Sequence, residues 1–171
     1  MANETTSQDG LQLLAGDHRK VEALFEKFEG ASGTAAKEKL VRQICTELKV
    51  HAQIEEEIYY PAIRGKVEEE DLNEAYVEHD SAKLLINELE AAEPDESFYD
   101  AKVKVLSELI EHHVAEEEKQ RDNLFQQTRA ADIDLQALGA QLAARKEELL
   151  AKAESEGLPP AEAATLQHEA I

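Results

Sequence analysis

His51-Ala52-Gln53-Ile54-Glu55 and His113-Val114-Ala115-Glu116-Glu117 carry both the fold and the chemistry of this chain. In each segment an imidazole and a carboxylate stand four residues apart, so they share one face of a helix. The segments begin 62 residues apart, and each is preceded by a further histidine at nearly the same interval. His18 lies 33 residues before His51, and His79 lies 34 residues before His113. The pattern is therefore doubled, H…HxxxE…H…HxxxE. Four imidazoles and two carboxylates on four helices can enclose a pair of transition metal ions.

Working outward, each of these residues falls on an apolar stripe of helical period. A first helix over 11–29 carries Leu11, Leu14, His18, Val21, Phe25 and Phe28. A second, over 35–60, starts behind Thr34 as its N-cap. It carries Leu40, Ile44, Leu48, His51, Glu55 and Ile58, and Pro61 should end or kink it because proline lacks a backbone donor. A third over 68–92 presents Leu72, Ala75, His79, Ala82, Ile86 and Leu89. After Pro94 a fourth over 95–128 presents Val103, Leu106, Ile110, His113 and Glu117. A fifth amphipathic helix over 134–154 carries Leu135, Leu138, Leu142 and Leu149, and Gly157, Pro159 and Pro160 break it. The first two helices repeat in the next two, and the short connections favour an antiparallel up-down-up-down bundle. The expected organisation is a flexible N-terminus (1–10), an all-α four-helix bundle (11–130), an additional C-terminal helix (131–157) and a polar tail (158–171).

Composition agrees with this reading. Hydrophobic residues make up 42% and charged residues 33%, with seven glycines, four prolines and no tryptophan, which suits a soluble helical domain. The net charge of −20 opposes a nucleic-acid or anionic-membrane partner, since phosphate binding needs clustered Lys and Arg. Cys45 is the single cysteine, so no internal disulfide forms, and it reads as a small buried residue. The segment 1–10 has no apolar run. Neither a signal peptide nor a membrane span is expected, and the expected location is the cytoplasm.

Imidazole and carboxylate together suit iron, manganese, zinc or copper, and the absence of thiolate ligands excludes iron–sulfur chemistry. A carboxylate can bridge two ions while each His binds one, which leaves coordination positions open for dioxygen, peroxide, nitric oxide or water. Six polar groups in an apolar core are costly without partners, and metal ligation supplies them.

The stretches Leu14-Ala-Gly-Asp-His18, His51-Ala-Gln-Ile-Glu55-Glu-Glu-Ile-Tyr-Tyr-Pro61, Glu78-His79 and Glu111-His-His113-Val-Ala-Glu-Glu117-Glu resemble the bacterial hemerythrin-like (HHE cation-binding) family over roughly residues 11–130. The resemblance implies a four-helix bundle holding two iron ions, oxo- or hydroxo-bridged. It also implies His18, His51, Glu55, His79, His113 and Glu117 as ligands, with Glu55 and Glu117 bridging. Oxygen-carrying hemerythrins add a fifth histidine one turn from the one on the third helix. Here those positions are Ala75 and Lys83. Oxidase-like, peroxide-consuming or nitric-oxide-binding chemistry thereby gains over reversible oxygen transport. The alternative is a non-catalytic module or sensor that binds iron or zinc.

Three further residues stand near the ligands. Glu22, one turn after His18, can supply an extra ligand or simply be a salt-bridged surface group. Tyr59, two turns beyond His51, can line the pocket or merely pack. His112 points about 100° away from His113 and reads as a group beside the ligands or between helices. Glu56, Glu57, Glu116 and Glu118 read as solvent-facing charges. His168 has no visible partner. The fifth helix either covers the bundle or joins two copies into a homodimer, and the expected small-molecule partner is a diatomic gas or peroxide.

Overall fold

A computed structural model of the chain describes residues 8–166, and those residues are all helix and connection. Helix α1 (Gly10–Glu29) starts on a capping box. The Asp9 carboxylate accepts from Gln12 N at 2.8 Å, and the Gln12 side chain accepts from Asp9 N at 3.1 Å. Order therefore begins before residue 10, while residues 1–7 of the expected flexible terminus, and His168, lie outside the described residues. Helix α2 (Thr34–Ile54) follows Gly33, whose φ of +89° suits glycine; Thr34 is already helical and supplies no side-chain cap.

After α2 the helix widens into one π-helical turn, Glu55–Tyr59, in which Tyr60 N–H reaches the Glu55 carbonyl, and resumes as α3 (Tyr60–Ile63). Pro61 sits in the first turn of α3, where its missing N–H costs nothing. Helix α4 (Glu69–Ala91) and helix α5 (Tyr99–Val114) form the second pair. A second π-helical turn, Ala115–Lys119, follows α5, and Gln120 N–H bonds the Ala115 carbonyl at 2.7 Å. The fourth helix does not run through to Thr128. It breaks at residues 120–123 and restarts as α6 (Leu124–Ala130), capped by the Asn123 side chain on Gln126 N.

Helix α1 packs on α2 and α5, α2 on α4, and α4 on α5, which closes the four-helix bundle. Helix α7 (Leu135–Ser155) lies across α1 and α2, with Leu138, Leu142 and Leu149 buried. Its apolar stripe is thus used within the chain, and a homodimer through that stripe would first have to undock it. A Cβ on Gly139 would meet Gln8 O at 2.4 Å, so only glycine lets α7 approach the start of α1 so closely. The segment after α7 is pinned, not free. The Asn87 amide bonds both backbone groups of Ala161, and the Asp80 carboxylate accepts from Ala164 N and Thr165 N. Among the described residues no helix is long and apolar enough to cross a membrane.

The core has two apolar parts. Leu11, Leu14, Ile54, Tyr60, Leu72 and Phe125 belong to one, and Val21, Phe25, Ile44, Leu48, Ile86 and Leu106 to the other. Between them along α1, α2, α4 and α5 lies a polar layer containing all six residues of the doubled motif.

Candidate metal centre

The layer is almost fully sealed: Glu55 is 0% exposed, Glu117 1%, and the four histidines no more than 6%. His18 Nε2 and His51 Nε2 face each other at 3.1 Å, and His79 Nε2 and His113 Nε2 at 3.3 Å. Glu55 spans the two pairs, with Oε1 3.2 Å from His51 Nε2 and Oε2 3.2 Å from His79 Nε2. Glu117 Oε2 lies 3.5 Å from His18 Nε2 and 3.4 Å from His113 Nε2. The motif thus separates into two overlapping clusters, His18/His51/Glu55/Glu117 and Glu55/His79/His113, whose ligating atoms lie within 4.8 Å of one another in each.

Behind every imidazole stands a carboxylate. His18 Nδ1 meets Glu118 at 2.8 Å, His79 Nδ1 meets Glu56 at 2.9 Å, His113 Nδ1 meets Glu78 at 2.8 Å, and His51 Nδ1 meets Asp17 at 3.4 Å. Each carboxylate has its own cationic or histidine partner: Arg19 for Glu118, Lys83 for Glu56, His112 for Glu78 and Lys146 of α7 for Asp17. Glu56 and Glu118 are therefore not solvent-facing charges. A residue next to a ligand in sequence is rotated about 100° around the helix, which here aims it at the neighbouring helix. The doubled signal was present in the sequence: Asp17-His18 and Glu78-His79, then Glu55-Glu56 and Glu117-Glu118. An Nδ1–H that donates to its carboxylate leaves Nε2 as the nitrogen turned inward.

Tyr60, not Tyr59, is the tyrosine of this layer. Its hydroxyl donates to Glu117 Oε1 at 2.8 Å and lies 3.2 Å from Glu55 Oε2 and 3.1 Å from His79 Nε2. The π-helical turn adds one residue to the register, so the ring predicted at Tyr59 arrives from Tyr60. Tyr59 instead bonds Thr128 Oγ1 at 2.9 Å. Burial first, and then the Glu117 and Glu55 carboxylates, push the Tyr60 hydroxyl well above its ordinary pKa. Glu22 does not reach the layer; it pairs with Arg19 at 2.8 Å and Lys119 at 2.9 Å. His112 is 57% exposed and bridges Glu78 and Glu116, each at 3.2 Å. Cys45 is buried among apolar side chains, and that burial pushes its thiol up to about 12.

Two pockets of opposite character reach the layer. One, of about 30 Å³, is walled by all four imidazoles together with Val21, Leu48, Ala82, Ile86 and Ile110. The other, of about 110 Å³, is lined by acidic groups and reaches Glu117.

The residues fit a pair of metal ions. Two donors about 2.1 Å from one ion and at right angles stand about 3 Å apart, close to the spacing of each Nε2 pair. With each Nδ1 turned to a carboxylate, the paired Nε2 atoms need a proton or a metal cation between them. Glu55 Oε1 and Glu117 Oε2 are buried with no hydrogen-bond partner, a costly arrangement that ligation relieves.

Comparison with known proteins agrees. The family model described as the hemerythrin HHE cation binding domain matches residues 9–121. A DNA nickase from Nostoc sp. is 31% identical over 102 residues, which are 60% of this chain and 29% of that protein. The chain thus spans less than a third of that relative's length. The crystal structure of an HHE cation binding domain-containing protein from Mycobacterium kansasii aligns with a TM-score of 0.72 at 24% identity. That alignment covers 88% of this chain and 94% of the other, a likeness of fold.

Proposed function

The chain belongs to the hemerythrin HHE cation-binding domain family, and we propose that its buried layer holds two iron ions and binds or reacts with dioxygen, peroxide or nitric oxide. The observation that supports this most is the inward turn of four Nε2 atoms, in pairs 3.1 and 3.3 Å apart, around two carboxylates with unpartnered oxygens. His18, His51 and Glu55 Oε1 would hold one ion, His79, His113 and Glu55 Oε2 the other, and Glu117 would complete the set. Two adjacent iron ions supply redox-active, Lewis-acidic positions for a small oxidant.

The rest is the work of this chain's own side chains. Glu118, Asp17, Glu56 and Glu78 orient the rings and present their Nε2 atoms to the layer. The Tyr60 hydroxyl fixes Glu117 and occupies space beside His79. The apolar pocket against the imidazoles is too small for an organic substrate and large enough for a diatomic molecule or peroxide. The nickase activity of the Nostoc relative belongs to a much longer protein, and a net charge of −20 opposes binding to phosphates.

Elemental analysis of protein purified without chelator, joined to optical spectra after air and after peroxide, tests the proposal. About two iron ions per chain with an oxidant-sensitive spectrum are expected. No tightly held metal overturns it. Zinc alone after iron-replete growth replaces it with a non-catalytic cation-binding module.

A further inference from the structure

The ligand set is symmetric, but the approaches to it are not. After the first π-helical turn the helix resumes at once and Tyr60 closes the space beside Glu55. After the second, the chain leaves the helix at residues 120–123, Asp122 takes a φ of 56°, and Asn123 starts α6. That break lies over the 110 Å³ pocket. Its walls include Asp71, Glu74, Glu78, Glu116 and Asp122, and it reaches Glu117. Arg121 is the single cationic side chain among its lining residues, and it pairs with Asp122 at 3.5 Å.

Two observations turn this acidic pocket into more than a solvated face. Glu117 at its inner wall is 1% exposed, and Oε2 has no hydrogen-bond partner. At the outer lip Glu74, Glu78, His112 and Glu116 each bring one donor atom within 4.8 Å of the others. The opposite approach, past the imidazoles, is walled by hydrocarbon, with Asp17 tied to Lys146 and Lys83 to Glu56. A hydrated dication crossing there would shed its water against hydrocarbon before it reached an imidazole. Through the acidic mouth it can exchange waters for carboxylate oxygens stepwise.

We propose that this mouth is the route by which divalent cations reach the centre, with Glu74, Glu78, His112 and Glu116 as a transient first station. The proposal rests on the reading of the buried layer as a metal site. Cations are drawn in by the field of the mouth, pause at the lip, and pass to Glu117, the buried ligand on the inner wall of the pocket. Small neutral oxidants use the apolar pocket on the other side, so metal and oxidant do not compete for one path.

The test follows loading of the full-length, metal-free protein with cobalt(II), read by its visible absorption, at low and high salt. Glu74→Gln with Asp122→Asn removes two charges from the mouth and none from the buried layer; asparagine also tolerates the positive φ at 122. Glu26→Gln with Glu29→Gln removes the same charge from exposed positions on α1 far from the mouth. The mouth variant is expected to load about three- to ten-fold more slowly at low salt, to reach the same final cobalt content, and to converge on wild type at high salt. The α1 variant is expected to load at the wild-type rate. Equal rates for wild type and mouth variant, or equal slowing in both variants, overturn the route while leaving the metal centre standing. Wild-type protein that takes up no cobalt overturns both.

Discussion

Replacing Glu118 with Gln isolates what a carboxylate behind an imidazole contributes. The amide oxygen still accepts from His18 Nδ1–H, so ring orientation survives and the negative charge 2.8 Å from Nδ1 is lost. That charge raises the basicity of the opposite nitrogen, and removing such a partner costs about ten- to a hundredfold in metal affinity, or about 1.4–2.7 kcal/mol. Glu118 is partly exposed and Arg19, its cation, is about half exposed, so no buried charge is stranded and folding is spared. Competition of the bound metal against a chromophoric chelator measures the loss. Asp17→Asn should cost less, because its contact to His51 Nδ1 is 3.4 Å. Glu57→Gln, one residue after Glu56 but paired at the surface with Arg145 at 2.7 Å, should stay within about twofold of wild type. Unchanged affinity in Glu118→Gln, or an equal loss in Glu57→Gln, would refute the role of these carboxylates.

Three other outcomes are expected. Glu55→Ala or Glu117→Ala should lower metal content to under about one ion per chain, whereas Glu116→Ala should retain it; equal retention by elemental analysis contradicts the assignment of the ligands. In the metal-free protein, burial opposes protonation of His51, but Glu55 and then Asp17 outweigh it and push the imidazole up to about 10. A pKa raised on folding gives stability that is complete below about 6.5 and is lost as pH rises through about 10, so metal-free protein should resist urea better at pH 6.5 than at pH 10. Metal must displace such protons, so calorimetry at pH 8 in buffers of differing ionisation enthalpy should detect proton release, and none would count against the raised imidazole. Gly139→Ala should push α7 off the start of α1 and cost about 1–3 kcal/mol, read as a lowered thermal midpoint with metal content intact; an unchanged midpoint would mean that the approach relaxes freely.

The helical bundle was legible because apolar stripes of period 3.6 run through all five long helices, and the six polar residues of the layer sit on four of those stripes. Ends with strong chemistry were legible too: α4 and α7 begin within one residue of the expected positions, the latter on its Asp134 cap. The π-helical turns were not. A one-residue gain in register leaves no mark in hydropathy, and it exchanged Tyr59 for Tyr60. The break before α6 holds neither Gly nor Pro, yet Asn123 followed three residues later by Gln126 is an N-terminal signal that an unbroken stripe concealed. The pinned segment after α7 could not be read locally, since Asp80 and Asn87 lie more than 70 residues away from their partners.

The missing fifth histidine has a structural answer in the same register shift. The positions one turn either side of His79 are used otherwise: Ala75 lines the acidic mouth, and Lys83 holds Glu56 at 2.7 Å behind His79 Nδ1. The group that stands closest to where an extra imidazole would act is the Tyr60 hydroxyl, 3.1 Å from His79 Nε2, delivered from the other half of the repeat by the first π-helical turn. On the other side the His18 ring stacks on Phe125, with centroids 5.9 Å apart. Two positions with equivalent imidazoles and carboxylates are thus made inequivalent by one oxygen and one hydrocarbon face. Were iron held in the layer, as proposed, the Tyr60 hydroxyl, which keeps its proton, would act through its hydrogen bond to Glu117 and not as an oxygen donor to the metal.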